Sequence, residues 1–115
     1  MATVTIKGYE VPVVVVKDSF QRRAVQFANK IAETLGRLGL TEDDMDIPLE
    51  TLAIKRAPAS ASWYFEGYHL HYSYQASGRF VDNLAMVLKI IELEGGDLLS
   101  GKKAVDEFIR DFAED

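Results

Sequence analysis

The segment ASASWYFEGYHLHYSYQ, residues 59–75, decides how this chain is read. A turn centred on Glu66-Gly67 with an even-length loop folds it into a hairpin. Ala59, Ala61, Trp63 and Phe65 then share a face with Tyr68, Leu70, Tyr72 and Tyr74. The other face carries Ser60, Ser62 and Tyr64 opposite His69, His71, Ser73 and Gln75. Side chains alternate along a strand, so a slip of one residue would set Trp63 against His69 and mix the two faces. The small Ala59 and Ala61 leave room for the large rings of Tyr72 and Tyr74 across the ladder.

The same parity argument applies upstream. Residues 2–16 predict a second hairpin turning at Lys7-Gly8, with Ile6 opposite Tyr9 and Val4 opposite Val11. Val13 and Val15 continue that apolar face. Pro12 cannot donate a ladder hydrogen bond, which places it at an edge or a bulge.

Helical periodicity takes over between and after the hairpins. Over residues 18–38, Phe20, Ala24, Phe27, Ile31, Leu35 and Leu38 recur at spacings of four and three, the stripe that one helix face buries. Asp18 or Ser19 can cap this helix and Gly39 can stop it. Residues 78–94 form a second helix with a broad arc of Phe80, Val81, Leu84, Ala85, Val87, Leu88 and Ile91. Met86, Ile90 and Leu93 make a second stripe at i, i+4, i+7, and Gly95-Gly96 supplies a stop signal. A third helix is expected over about residues 98–113, with Val105, Phe108, Ile109 and Phe112 on one face. Residues 51–57 are ambiguous and favour an extended segment. The acidic run of Glu42, Asp43, Asp44, Asp46 and Glu50 reads as a solvated loop. The order hairpin, helix, hairpin, helix, helix predicts one α+β domain over residues 1–115. Its expected core is a four-stranded, mainly antiparallel sheet with helices on one face and the other face open.

Composition narrows the function. The chain has 115 residues and 48% hydrophobic residues, enough for a core without staples. It has no cysteine, which excludes disulfide scaffolds, thiol nucleophiles and CxxC chemistry. No apolar run reaches the roughly 20 residues of a membrane helix, and no signal peptide is visible, so a cytoplasmic location is expected. Few amides together with no cysteine is a pattern seen in thermophile proteins.

The residues that could bind something lie on the open face of the 59–75 hairpin. His69 and His71 project from the same side of one strand, about 7 Å apart, as two ligands of a transition metal could. A stable metal site needs a third ligand, and the cross-strand neighbours Tyr64 and Ser62 are poor ones, so no metal is assigned. Tyr64, His69 and His71 could instead stack unpaired bases, with Arg22 and Arg23 on phosphates. The net charge of −5 weighs against nucleic acid, because such binding draws on cationic neutralisation. Nothing resembles a phosphate-cradling glycine loop or a nucleophile with its base and oxyanion donors, and no cofactor is implied. The first reading is therefore a non-enzymatic binding or assembly module with a protein partner, expected as a homodimer. It would use the open sheet face (Tyr64, His69, His71, Arg22, Arg23) or the Met86, Ile90, Leu93 stripe. The stripe has a competing explanation: the third helix folds back and covers it. Nucleic-acid binding is the second reading, and a small metal-dependent enzyme at His69 and His71 the third.

Overall fold

The computed structural model describes residues 2–113. Its elements run β1 (Thr3–Ile6), β2 (Tyr9–Pro12), α1 (Phe20–Arg37), a 3-10 turn (Glu42–Asp44), β3 (Met45–Asp46), β4 (Ala59–Phe65), β5 (Tyr68–Tyr74), α2 (Phe80–Ser100) and α3 (Val105–Phe112). The class is α+β, as the element pattern predicts. The sheet differs from the expectation: two antiparallel sheets form, β1-β2 and β3-β4-β5, in place of one four-stranded sheet. The outer edge of β4 is taken by the short β3, with Met45 opposite Trp63 and Asp46 opposite Ser62.

Both hairpins have the register that side-chain sorting demands. Val4 faces Val11 and Ile6 faces Tyr9; Ala61 faces Tyr72, Trp63 faces Leu70, and Tyr64 faces His69. Each turn places two residues in the left-handed region, Lys7 (φ 51) with Gly8 (φ 84) and Glu66 (φ 52) with Gly67 (φ 81). That pair is the signature of the two-residue type I′ turn, whose twist matches the strands it joins. The first hairpin is shorter than expected. β2 ends at Pro12, Val15 is 59% exposed, and Val14 and Val16 turn to the core instead.

α2 is the centre of the molecule. It packs against α1, β4, β5, α3 and β2, and it buries residues all round its circumference. A helix apolar on every side belongs inside a fold, and this accounts for the two stripes. Met86 and Ile90 are fully buried within the single chain and Leu93 is half-buried against the core. They are therefore core residues, and the surface proposed for a homodimer is not on offer there.

Gly95-Gly96 does not end α2, which runs on to Ser100 and is closed by Gly101 at φ +83. Gly95 is buried where α2 meets α1. A Cβ there would stand 3.4 Å from Thr34 Cγ2, in van der Waals contact with α1. Packing thus outweighs the roughly 1 kcal/mol per glycine that propensity sets against the helix.

α3 is shorter than the expected span. Phe108 and Phe112 are buried, whereas Val105 is exposed. The two rings close over the inner face of β4-β5 in edge-to-face contacts, Phe112 5.0 Å from Trp63 and Phe108 5.3 Å from Phe65. Residues 51–57 are neither strand nor helix but a series of bends, with Ala53 and Ala57 buried and Leu52 and Ile54 exposed. Among the described residues no helix is long and apolar enough to cross a membrane.

Candidate functional site

The outer face of β4-β5 carries the side chains that the hairpin sorting sends outward. Tyr64 is 57% exposed and sits directly across from His69, their ring centroids 4.8 Å apart and tilted by 37°. One step along the strands, Ser62 lies opposite His71 on one side and Asp46 of β3 on the other, so these three share a row across the sheet. His71 is half-buried and His69 exposed.

The acidic run is part of this face rather than a remote loop. Thr41 caps the 3-10 turn: its backbone N–H donates to Asp44 Oδ2 at 2.9 Å, and its Oγ1 to the same oxygen at 3.2 Å. The chain then enters β3 along the edge of β4. The result is a hollow of about 230 Å³ lined by Asp43, Asp44, Asp46, Ser62, Tyr64 and His69, among others. One oxygen of Asp44 serves the turn; Asp43 and Asp46 are exposed. Their proximity to Tyr64 and His69 was not foreseen from the sequence. Met45-Asp46-Ile47 is too short a stretch for alternation to announce an edge strand.

The arginines do not join the face. Arg22 donates to Ser19 Oγ at 3.1 Å and lines a separate open hollow with Phe20, Leu52 and Ile54, while the Arg23 guanidinium lies 5.4 Å from the centre of the Phe27 ring. Among the described residues no group of three or more His, Asp or Glu side chains is placed to hold a metal ion.

Two buried polar networks complete the inventory, both unseen in the sequence. At the start of α2, Asp82 and Asn83 are buried although helical spacing assigned Asp82 to the polar side. Asp82 Oδ1 accepts from Val16 N–H at 2.8 Å, and Arg79 bridges Asp82 Oδ2 (2.8 Å) and Val16 O (2.7 Å). Asn83 Nδ2 donates to Ala57 O at 2.8 Å, and Asn83 Oδ1 accepts from Ser77 N–H at 2.9 Å.

At the other end of α2, the Lys103 ammonium lies between Glu94 Oε1, at 2.5 Å, and the Asp111 carboxylate of α3. Nearby, Tyr9 OH donates to Asp97 Oδ2 at 2.6 Å. Burial pushes the Glu94 carboxyl above its ordinary range; the hydrogen bond from Lys103 opposes this and Asp111 reinforces it. For Lys103, burial works against the charge, but the hydrogen bonds to Asp111 and Glu94 win and raise its pKa. For Asp111, burial again opposes ionisation, and the hydrogen bonds to Lys103 and Glu94 win and lower it. Burial, then the bond to Asp97, pushes the Tyr9 phenol up, and burial pushes that of Tyr72 up to about 12. Glu94 carried a signal: it falls three residues after Ile91 and four after Ile90, on the apolar circumference of α2.

Comparison of the chain with protein-family models, with curated proteins and with solved structures gave no match.

Proposed function

We propose that this chain is a non-enzymatic binding module that uses the outer face of β4-β5 to hold a cationic group on a partner protein, such as a lysine or arginine side chain. The observation that carries the reading is the meeting of Asp43, Asp44 and Asp46 with Tyr64 and His69 around one hollow. An exposed aromatic ring attracts a cation over its face, by about 0.5–1 kcal/mol at a solvated site. Adjacent carboxylates add charge-assisted hydrogen bonds. The chain's net charge of −5 would speed the encounter with a basic partner.

The same arrangement speaks against the nucleic-acid reading. Carboxylates beside the stacking rings repel phosphates, and Arg22 and Arg23 lie elsewhere. The assembly part of the reading loses one of its two surfaces, the Met86, Ile90, Leu93 stripe, because Met86 and Ile90 are inside the core.

The test is an NMR titration of the protein with a short Lys/Arg-rich peptide and, separately, with a single-stranded oligonucleotide. The expected result is that peptide shifts the Tyr64, His69 and Asp46 resonances, and that Tyr64→Ala and Asp46→Asn each weaken this by several-fold. Oligonucleotide binding that moves the same resonances and weakens steeply with salt would overturn the proposal. So would an unperturbed face at millimolar peptide.

A further inference from the structure

α3 has little to keep it helical on its own. Its eight residues fall short of the roughly 12–15 that sustain an isolated helix in water. Its N-cap is Ala104, which has no side-chain acceptor; the only help is Glu107 Oε1 accepting from Ala104 N–H at 3.2 Å. Tertiary contacts therefore hold it. Phe108 and Phe112 lie on Trp63 and Phe65, Lys7 Nζ donates to Asp111 O, and Ala113 bridges to Leu70 on β5.

Of three buried polar atoms without a hydrogen-bond partner among the described residues, two, Trp63 Nε1 and Glu94 Oε2, lie at the seam beneath α3; the third, Ser77 Oγ, lies at the start of α2. Trp63 is packed against both α3 rings, and Glu94 reaches α3 through Lys103 and Asp111. Such atoms regain partners when water enters, so closure of this one helix carries a desolvation cost that opening relieves. The rest of the fold is held by other contacts: α1 on α2, β4 on β5, and the Asp82 and Asn83 networks at the far end of α2.

We propose that α3 is a lid over the aromatic inner face of β4 and β5, hinged between Gly101 and Ala104 and latched by Lys103, which opens as a unit while α1, α2 and both sheets stay folded. Gly101, at φ +83, ends α2 in the left-handed region and separates the rigid helix from the latch. Opening bares Trp63, Phe65 and Tyr72, a strip of rings that the closed form hides. Local opening of this kind is a general property of elements with few buried contacts; here the latch makes it controllable at one ammonium group.

Native-state hydrogen exchange on the full chain tests the lid. The expected result is that the Trp63 indole N–H and the amides of Phe108, Ile109 and Phe112 exchange at least ~100-fold faster than those of Val87, Leu88 and Ile91 in α2, with a clearly shallower dependence on low urea, since opening exposes less surface than unfolding does. Equal rates with the same steep urea dependence would show that α3 leaves only when everything unfolds, and would overturn the proposal. Lys103→Met tests the latch. It should speed exchange at the Trp63 indole by about 10-fold or more relative to the α2 amides, because two carboxylates lose their shared cation. The double variant Glu94→Leu, Lys103→Met, which exchanges the buried pair for apolar side chains, should slow it again. Exchange at Trp63 that is unchanged in Lys103→Met refutes the latch. Should that variant fail to fold, Asp111→Asn, which breaks the bond to α3 alone, decides in its place, and exchange at Trp63 no faster than in the unmodified chain refutes the latch.

Discussion

Replacing Asn83 by alanine tests whether the start of α2 is fixed by side-chain bonding or by apolar contact alone. Asn83 is fully buried and makes two short hydrogen bonds, donating to Ala57 O at 2.8 Å and accepting from Ser77 N–H at 2.9 Å. A third contact, to Gly78 O at 3.4 Å, is marginal. Alanine leaves one carbonyl and one amide without their partner. Each orphaned buried group costs about 1–3 kcal/mol, so the loss is about 2–6 kcal/mol, against a total near 5–15 kcal/mol for a domain. At roughly 4 °C per kcal/mol for this chain length, the melting temperature should fall by roughly 8–24 °C. Urea unfolding followed by circular dichroism gives the free energy, and the exposed Gln26→Ala serves as a control expected within about 0.5 kcal/mol. Asn83→Asp sharpens the test. It keeps the acceptor for Ser77 N–H but puts a second carboxylate next to the buried Asp82, so its deficit should shrink as the pH falls toward 4. A loss under about 1 kcal/mol for Asn83→Ala would refute the reasoning and make the network incidental.

The glycines of α2 should separate by position. Gly96→Ala meets open space and should stabilise the helix by about 0.5–1 kcal/mol, whereas Gly95→Leu must push into Thr34 and should destabilise by about 1–3 kcal/mol, both read by urea midpoints. A spectrophotometric titration should show a phenol ionising near pH 12 that is absent from Tyr72→Phe. Because the folded pKa of Tyr72 lies above its ordinary 10.0, the unfolded chain releases this proton first. Stability should therefore start to fall above pH 10 and fall less steeply in Tyr72→Phe. In acid the sign at Asp111 is the opposite. Its carboxyl is held below the ordinary 3.8, so its contribution is present above that pH and is lost as the pH drops through the folded pKa. Asp111→Asn should flatten that part of the acid limb in pH-dependent urea denaturation.

Much of the fold was legible, and for a physical reason. A two-residue turn fixes parity, and parity decides which face every side chain of a hairpin takes; both registers followed from that alone. β3 was not legible because two residues carry no period. Gly95-Gly96 misled because a local stop signal competes with long-range burial, the packing of α1 along α2. The burial of Asp82 and Asn83 could not be read, because their partners are backbone groups of Val16, Ala57 and Ser77, remote in sequence or in a preceding loop. The candidate site divided along the same line. The pairing of Tyr64 with His69 lies within one hairpin and could be read, whereas the arrival of Asp43 and Asp46 depends on a strand that no pattern announced.

The position of α2 bears on how quickly the chain can fold. Each hairpin joins near neighbours through a tight turn, so its strands can meet within microseconds and dissolve again. The central helix gains its burial only when α1, α3 and strands of both hairpins converge on it, a search that includes distant segments and is slow by nature. Substitutions along its buried circumference should then alter the folding rate, while those at the two turns chiefly alter the rate of coming apart.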